Sequence, residues 1–181
     1  MHKLYIFILI ILFFTSCQSD DKEQVVKIEN KYSISIPSFM TKDRNLNKNA
    51  TLQYRHQNAL KEFYVIVIDE SKEEVQKALS EHNLTLIYSN DIKGYTNLIL
   101  SDFEQHIKIL EKSELIDTLV NNMPAKLLTL SARAEDIEAF YTLAFIEGRK
   151  RYYQITIWTL SSKKHEFEEK MNQILYSLKE L

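Results

Sequence analysis

Cys17 is the only thiol in this chain, and it stands in the stretch ILFFTSCQSDDKE, between an apolar run and an acidic one. A thiolate can attack an electrophile, bind a metal, pair with another cysteine or carry a lipid. With one cysteine in 181 residues there is no disulfide framework. The imidazoles are His2, His56, His82, His106 and His165. None falls in HExxH, none pairs with another at helical spacing, and no Cys/His cluster occurs, so no zinc ligand set is present. Asp102 and His106 stand four apart on a predicted helix and could supply half of a metal site; a solvated i, i+4 pair accounts for the same two residues. No serine lies in GxSxG, and two glycines in the whole chain leave little room for an elbow or a phosphate loop. Asp69-Glu70 ends an apolar strand, where catalytic acids occur, but the pair also suits the start of a helix, whose dipole favours negative charge. Glu135, Asp136 and Glu138 lack the spaced oxygens of a calcium loop and suit a solvated turn. No catalytic residue, metal or cofactor is therefore expected.

Two surface features are candidates for binding. Arg149, Lys150 and Arg151 cluster at a predicted hairpin tip, where they could meet anionic headgroups, a glycan or an acidic partner, or simply protect a sheet edge with charge. Tyr141, Tyr152, Tyr153 and Trp158 lie on neighbouring predicted strands. Alternation puts Tyr152 and Trp158 on one face and Tyr153 on the other; they are core if both faces carry helices and a platform if one is open.

The residues around Cys17 form an address. Lys3 precedes an unbroken apolar run over residues 4–14, eleven residues in all. A bilayer-spanning helix needs roughly 20, whereas a secretory signal needs fewer. FTSC resembles a bacterial lipobox, with Phe14 where Leu is usual. That resemblance implies a signal peptide over residues 1–16 and diacylglycerol on the Cys17 thiol, followed by N-acylation, leaving the chain anchored to the membrane through its lipid. The run QSDDKE is similar to the acidic export signal of surface-displayed Bacteroidetes lipoproteins; a generic polar linker explains the same residues. The expected location is the bacterial cell envelope, lipid-anchored at the outer membrane with surface display in view, and residues 17–30 are expected to be a lipidated N-terminus and tether.

The elements after the tether follow from periodicity. Residues 32–37 alternate as a strand, 51–56 form a second, and the continuous apolar run at 62–69 suits a central two-sided strand. Ser71 and Glu74 form a capping box that starts a helix to about residue 81. Residues 82–94 are expected as loop, and a stripe of Tyr95, Ile99, Phe103, Ile107 and Leu110 predicts a helix to about residue 112. Four strands follow at 114–122, 123–133, 138–148 and 151–161, the last two joined at Gly148. Ser161-Ser162 is expected to cap a final helix with Phe167, Met171, Ile174, Leu175 and Leu178 on its apolar face. Helices segregated on an antiparallel sheet mean an α+β fold, here as a single domain over residues 31–181.

YSISIPSFM, FYVIVIDESKEE, NNMPAKLLTL and GRKRYYQITIW with the closing helix to ILYSLK together resemble the PsbP-like family, which includes PsbP and DcrB. The resemblance spans roughly residues 30–181. It implies a central antiparallel sheet of six to seven strands with helices on both faces, an α/β/α sandwich, and a role in binding or assembly. The chain carries 23 basic and 25 acidic residues, a net charge of −2, which gives no electrostatic footprint for nucleic acid. The expectation is thus a non-enzymatic envelope lipoprotein that binds another envelope protein. A small-ligand carrier or an enzyme using a cleft beside the sheet is the alternative.

Overall fold

The period-two pattern of YSISIP becomes a strand in the computed structural model, which describes residues 22–134 and 136–181. This strand, β2 (Tyr32–Pro37), buries Tyr32, Ile34 and Ile36. Residues 23–28, expected within the tether, form the antiparallel strand β1 (Glu23–Ile28), whose half-buried Val26 and Ile28 pack on the core. Gln24, Val26 and Ile28 alternate inward, a pattern hidden in sequence by the charged residues on either side. Residues 1–16, expected as a signal peptide, together with Cys17 and the rest of the chain before residue 22, lie outside the described residues.

The main sheet is built from β3 (Met40–Lys42), β4 (Leu52–His56), β5 (Tyr64–Ser71), β10 (Arg151–Leu160), β9 (Ile137–Glu147), β8 (Met123–Ala134) and β6 (Lys108–Lys112), in that spatial order. An eighth strand, β7 (Ile116–Val120), also pairs with β8. Every pairing is antiparallel. β1 and β2 form a second, three-stranded sheet with β11 (Lys179–Glu180). The expected six to seven strands thus become eight in the main sheet, because short edge strands have too few residues to show a period.

Alternation along the central strands divides the core between two faces. One face carries Val65, Val67, Tyr153 and Ile155, covered by α3 (Lys164–Tyr176) and the small sheet. The other carries Leu143, Phe145 and Tyr152, covered by α1 (Lys72–Glu81) and α2 (Ile92–His106). Helices on both faces of an antiparallel sheet give the α/β/α sandwich.

Local chemistry explains where the helices begin and end. Ser71 caps α1, its Oγ accepting from the Glu74 N–H at 3.4 Å. Helix α2 starts three residues earlier than the apolar stripe indicates, because the Asp91 carboxylate accepts from the Gly94 N–H at 2.8 Å. It also stops earlier. Residues 108–112, expected as its last turn, pair with β8 instead, so the demand of that edge for hydrogen bonds overrides the helical spacing of Ile107 and Leu110. The final helix differs too: Ser161 and Ser162 open a short 3-10 turn with no side-chain cap, and α3 begins at Lys164. Leu178 is buried, but from beyond the end of α3. In the β7–β8 turn, Asn121 and Asn122 both adopt positive φ, as a two-residue hairpin requires. The Asn121 amide donates to the Tyr176 and Leu178 carbonyls at 2.8 and 2.7 Å and so ties this hairpin to the end of α3.

Candidate functional site

Asp69 and Glu70 are consecutive on β5, so their side chains leave the sheet on opposite faces. Each organises a cleft at the same end of the strand. This differs from the helix-start role expected for the pair: the acids in the first turn of α1 are Glu73 and Glu74, while Asp69 is buried among cations.

On the α3 face, Asp69 Oδ2 lies 2.9 Å from Lys31 Nζ and 2.6 Å from an Arg151 guanidinium nitrogen. The Asp69 side chain is fully buried, and Arg151 also donates to its carbonyl at 3.2 Å. Arg149, one turn residue away, is held by Glu180: its backbone N–H donates to both carboxylate oxygens at 3.0 Å, and its Nε to one of them at 2.9 Å. The Tyr153 hydroxyl donates to the same carboxylate and to the Lys31 carbonyl, each at 3.2 Å. Partial burial opposes ionisation of Glu180, but the Arg149 N–H groups and the Tyr153 hydroxyl outweigh it and hold the carboxyl below its usual range. Burial, and then the Glu180 charge, push the Tyr153 phenol up. The result is a cleft of about 490 Å³ walled by Lys31, Arg149, Lys150, Arg151, Glu29 and Glu180.

The structure therefore brings Arg149, Lys150 and Arg151 to one cleft rim with different duties. Arg149 clamps the last strand, Arg151 neutralises Asp69, and Lys150 is exposed. Lys31 and Glu180, which complete the cleft, carried no sequence signal. Their contacts with the hairpin span at least 27 residues of chain and depend on β11 docking beside β2.

Gly148 makes that docking possible. Its φ is not positive, so conformational freedom is not the reason for glycine here. A Cβ would stand 2.4 Å from Glu180 Oε1 and 2.8 Å from Tyr153 Cε2. Gly148→Ala is expected to displace the Glu180 carboxylate and to speed amide exchange at Arg149 and Leu181, leaving the β8–β9 amides unchanged. The clamp also has a pH sign. Because the Glu180 carboxyl is depressed in the folded chain, its contribution is present above the ordinary carboxylate range and is lost as pH falls through the folded value. Protection at Arg149 and Leu181, taken as the exchange rate relative to that of the unfolded chain at the same pH, should fall in acid, and Glu180→Gln should flatten that dependence.

On the opposite face, Glu70 accepts a hydrogen bond from the Tyr95 hydroxyl at 2.6 Å. Burial, reinforced by the Glu70 charge, pushes the Tyr95 phenol up, so it remains a donor. Above this bond α1 and α2 splay around a cleft of about 420 Å³.

The aromatic residues are structural. Tyr153 packs edge-on to Tyr32 at 5.5 Å, and Tyr152 stacks on Tyr95 at 4.4 Å. Trp158 stacks between Tyr64 at 5.0 Å and Tyr141 at 6.3 Å. Tyr152 and Trp158 do share a face, but the rings of the Tyr64–Trp158–Tyr141 row turn their flat sides to one another, so the row is cross-strand packing rather than a platform. Burial, with a hydrogen bond to Glu62, pushes the Tyr64 phenol up to about 12.

Asp102 and His106 are an exposed helical pair: a His106 ring nitrogen lies 2.7 Å from the Asp102 carbonyl oxygen and 3.8 Å from its carboxylate. Among the described residues no group of three or more His, Cys, Asp or Glu is arranged to hold a metal. Asp136 lies in the β8–β9 connection and Glu138 on β9, where it pairs with Arg133; Glu135 lies outside the described residues. None of the described helices is long and apolar enough to cross a membrane.

With this geometry in place, the chain can be compared with known proteins. No protein-family model matches the sequence, and no curated protein matches it. Solved structures do share its fold. The cyanobacterial PsbP protein CyanoP of Synechocystis sp. PCC 6803 superposes with a TM-score of 0.58 at 11% identity, over 88% of this chain and 92% of that one. LpqN of Mycobacterium tuberculosis, involved in cell envelope biogenesis, superposes with a TM-score of 0.57 at 7% identity, over 88% and 90%. The class is thus defined by architecture: an α+β domain with the PsbP-like fold.

Proposed function

We propose that this chain is a lipoprotein of the bacterial cell envelope, anchored through Cys17, whose PsbP-like domain is a non-enzymatic binding or assembly factor for another envelope protein. The supporting observation is the arrangement of the basic cleft relative to the entry of the chain. From Cys17 to Glu23 the chain can span at most about 20 Å before the fold begins. β1 then leads about 17 Å further, from Glu23 beside Pro37 to Ile28 beside Tyr32. Lys31 and the Arg149–Arg151 turn stand at that far end. A lipid on Cys17 would keep the Glu23 end within about 20 Å of the bilayer and leave the basic cleft, at the other end of β1, free to face away from it. Its ion pairs fix the shape of the cleft before any partner arrives, and Lys150 adds an exposed cation for an acidic segment of that partner. The shared fold with LpqN agrees with an envelope role. The finer address is the outer membrane, with surface display read from QSDDKE.

Cys17→Ser is expected to abolish acyl labelling and to move the protein from the membrane to the soluble fraction. Unchanged fractionation of the variant, together with no acyl labelling of the unsubstituted protein, would overturn the anchor. Protease treatment of intact cells then checks display: digestion of the domain is expected, and complete protection would contradict the surface assignment.

A further inference from the structure

The cleft between α1 and α2 plays no part in the anchoring or in the basic surface, and its chemistry is of the opposite sign. Val75, Leu79 and Tyr95 are buried at its base, and Leu98 and Ile99 of α2 form a wall. Glu70 sits at the inner end and Glu74 and His82 at the rim, while no Lys or Arg lines it among the described residues. Asp69, which also borders it, is already neutralised by Lys31 and Arg151 on the other face. Glu70 has no ion-pair partner among the described residues: the neutral Tyr95 hydroxyl donates to one of its carboxylate oxygens. A carboxylate beside an apolar wall gains most from a ligand that brings one positive charge and an apolar body.

We propose that this cleft binds a small cationic amphiphile, a primary ammonium group on a short alkyl chain. The ammonium bonds Glu70 at the inner end, and the chain lies along Val75, Leu79 and Ile99. A volume of about 420 Å³ lies within the range of small-ligand sites and suits a chain of this kind. The segment that closes the cleft supports the same class. After α1, Asn83 takes a positive φ and the Leu84 N–H returns to the Leu79 carbonyl at 2.8 Å, carrying Leu84 into the lining. Shortly after Leu84 in the chain, Leu86 and Ile87 are 98% and 69% exposed, leaving apolar surface on the same segment.

The test uses the intact chain in neutral phosphatidylcholine vesicles, with equilibrium dialysis of labelled hexylammonium, hexanol and hexanoate and subtraction of empty vesicles. Hexylammonium is expected to bind at one saturable equivalent per chain, at least tenfold more tightly than either of the others. Each added methylene should tighten binding about fourfold until the cleft is filled. Glu70→Gln keeps an acceptor for Tyr95 and should lower hexylammonium affinity about tenfold while leaving hexanol unchanged. Glu74→Gln, at the exposed rim, should lower it about twofold. Ala78→Trp, on the exposed side of α1, should fill the cleft and abolish binding of both hexylammonium and hexanol. Absence of saturable binding above empty vesicles, equal or tighter binding of hexanoate, or an unchanged affinity in a folded Glu70→Gln variant would each overturn the proposal. If Glu70→Gln does not fold, unchanged affinities in both Glu74→Gln and Ala78→Trp overturn it.

Discussion

Asp69→Ala is expected to destabilise the domain by about 3 kcal/mol, because removing one partner of a buried ion cluster leaves the other charges uncompensated. Asp69 is fully buried, whereas the Lys31 and Arg151 side chains are 33% and 25% exposed. That partial hydration keeps the loss at the lower end of the range for buried pairs. For a domain of this length the loss corresponds to a fall in melting temperature of about 10 °C, read by circular dichroism. The physical reason can be checked separately. Replacing all three charges together, as Lys31→Met, Asp69→Leu and Arg151→Met, removes the desolvation cost along with the attraction and should recover much of the loss. A triple variant less stable than Asp69→Ala would contradict this account of the cluster. The same substitution should also loosen the basic cleft, since Lys31 and Arg151 are its inner wall.

Gly94→Ala is the second large effect, and here two rules disagree in sign. Intrinsic helix propensity alone favours alanine over glycine inside α2 by about 1 kcal/mol. The structure opposes it, because a Cβ on Gly94 would stand 1.8 Å from the carbonyl oxygen of Ser89 and 2.5 Å from its nitrogen. Those are backbone atoms and cannot rotate aside. The same short segment places the cap: Ser89 Oγ donates to Asp91 at 2.7 Å, and Asp91 accepts from Gly94. These bonds to Ser89 and Gly94 hold the Asp91 carboxyl below its usual range. The clash should dominate and cost about 3 kcal/mol net, as overpacking against an immobile neighbour does at its upper end. A lowered urea midpoint with an unchanged slope is the expected result; a raised midpoint would contradict it.

What the sequence made legible was what period and turn chemistry encode. YSISIP, the apolar run at 62–69, the two long strands β8 and β9, and α1 all follow from alternation, continuity or a cap. The misses have a common physical origin. β3 and β11 are three and two residues long, too short for any period, and exist because β4 and β2 offer them hydrogen bonds. Residues 108–112 have helical spacing and still pair with β8, since a neighbouring ladder can outweigh a local stripe. The clefts were legible only in part. Arg149, Lys150 and Arg151 announce themselves as a run of charge. Lys31 and Glu180 join them only through folding, and although residues 62–69 read as a central two-sided strand, the partners that Asp69 and Glu70 meet on its opposite faces come from distant chain.

We propose that the end of the domain remote from the Cys17 anchor meets another envelope protein. The most direct test is photocrosslinking in intact cells from an unnatural residue in place of Lys150, compared with the same residue in place of Glu111 on β6. The account predicts one discrete protein adduct from position 150 and none from position 111. Lipid adducts alone from position 150, or the same products from both positions, would contradict it.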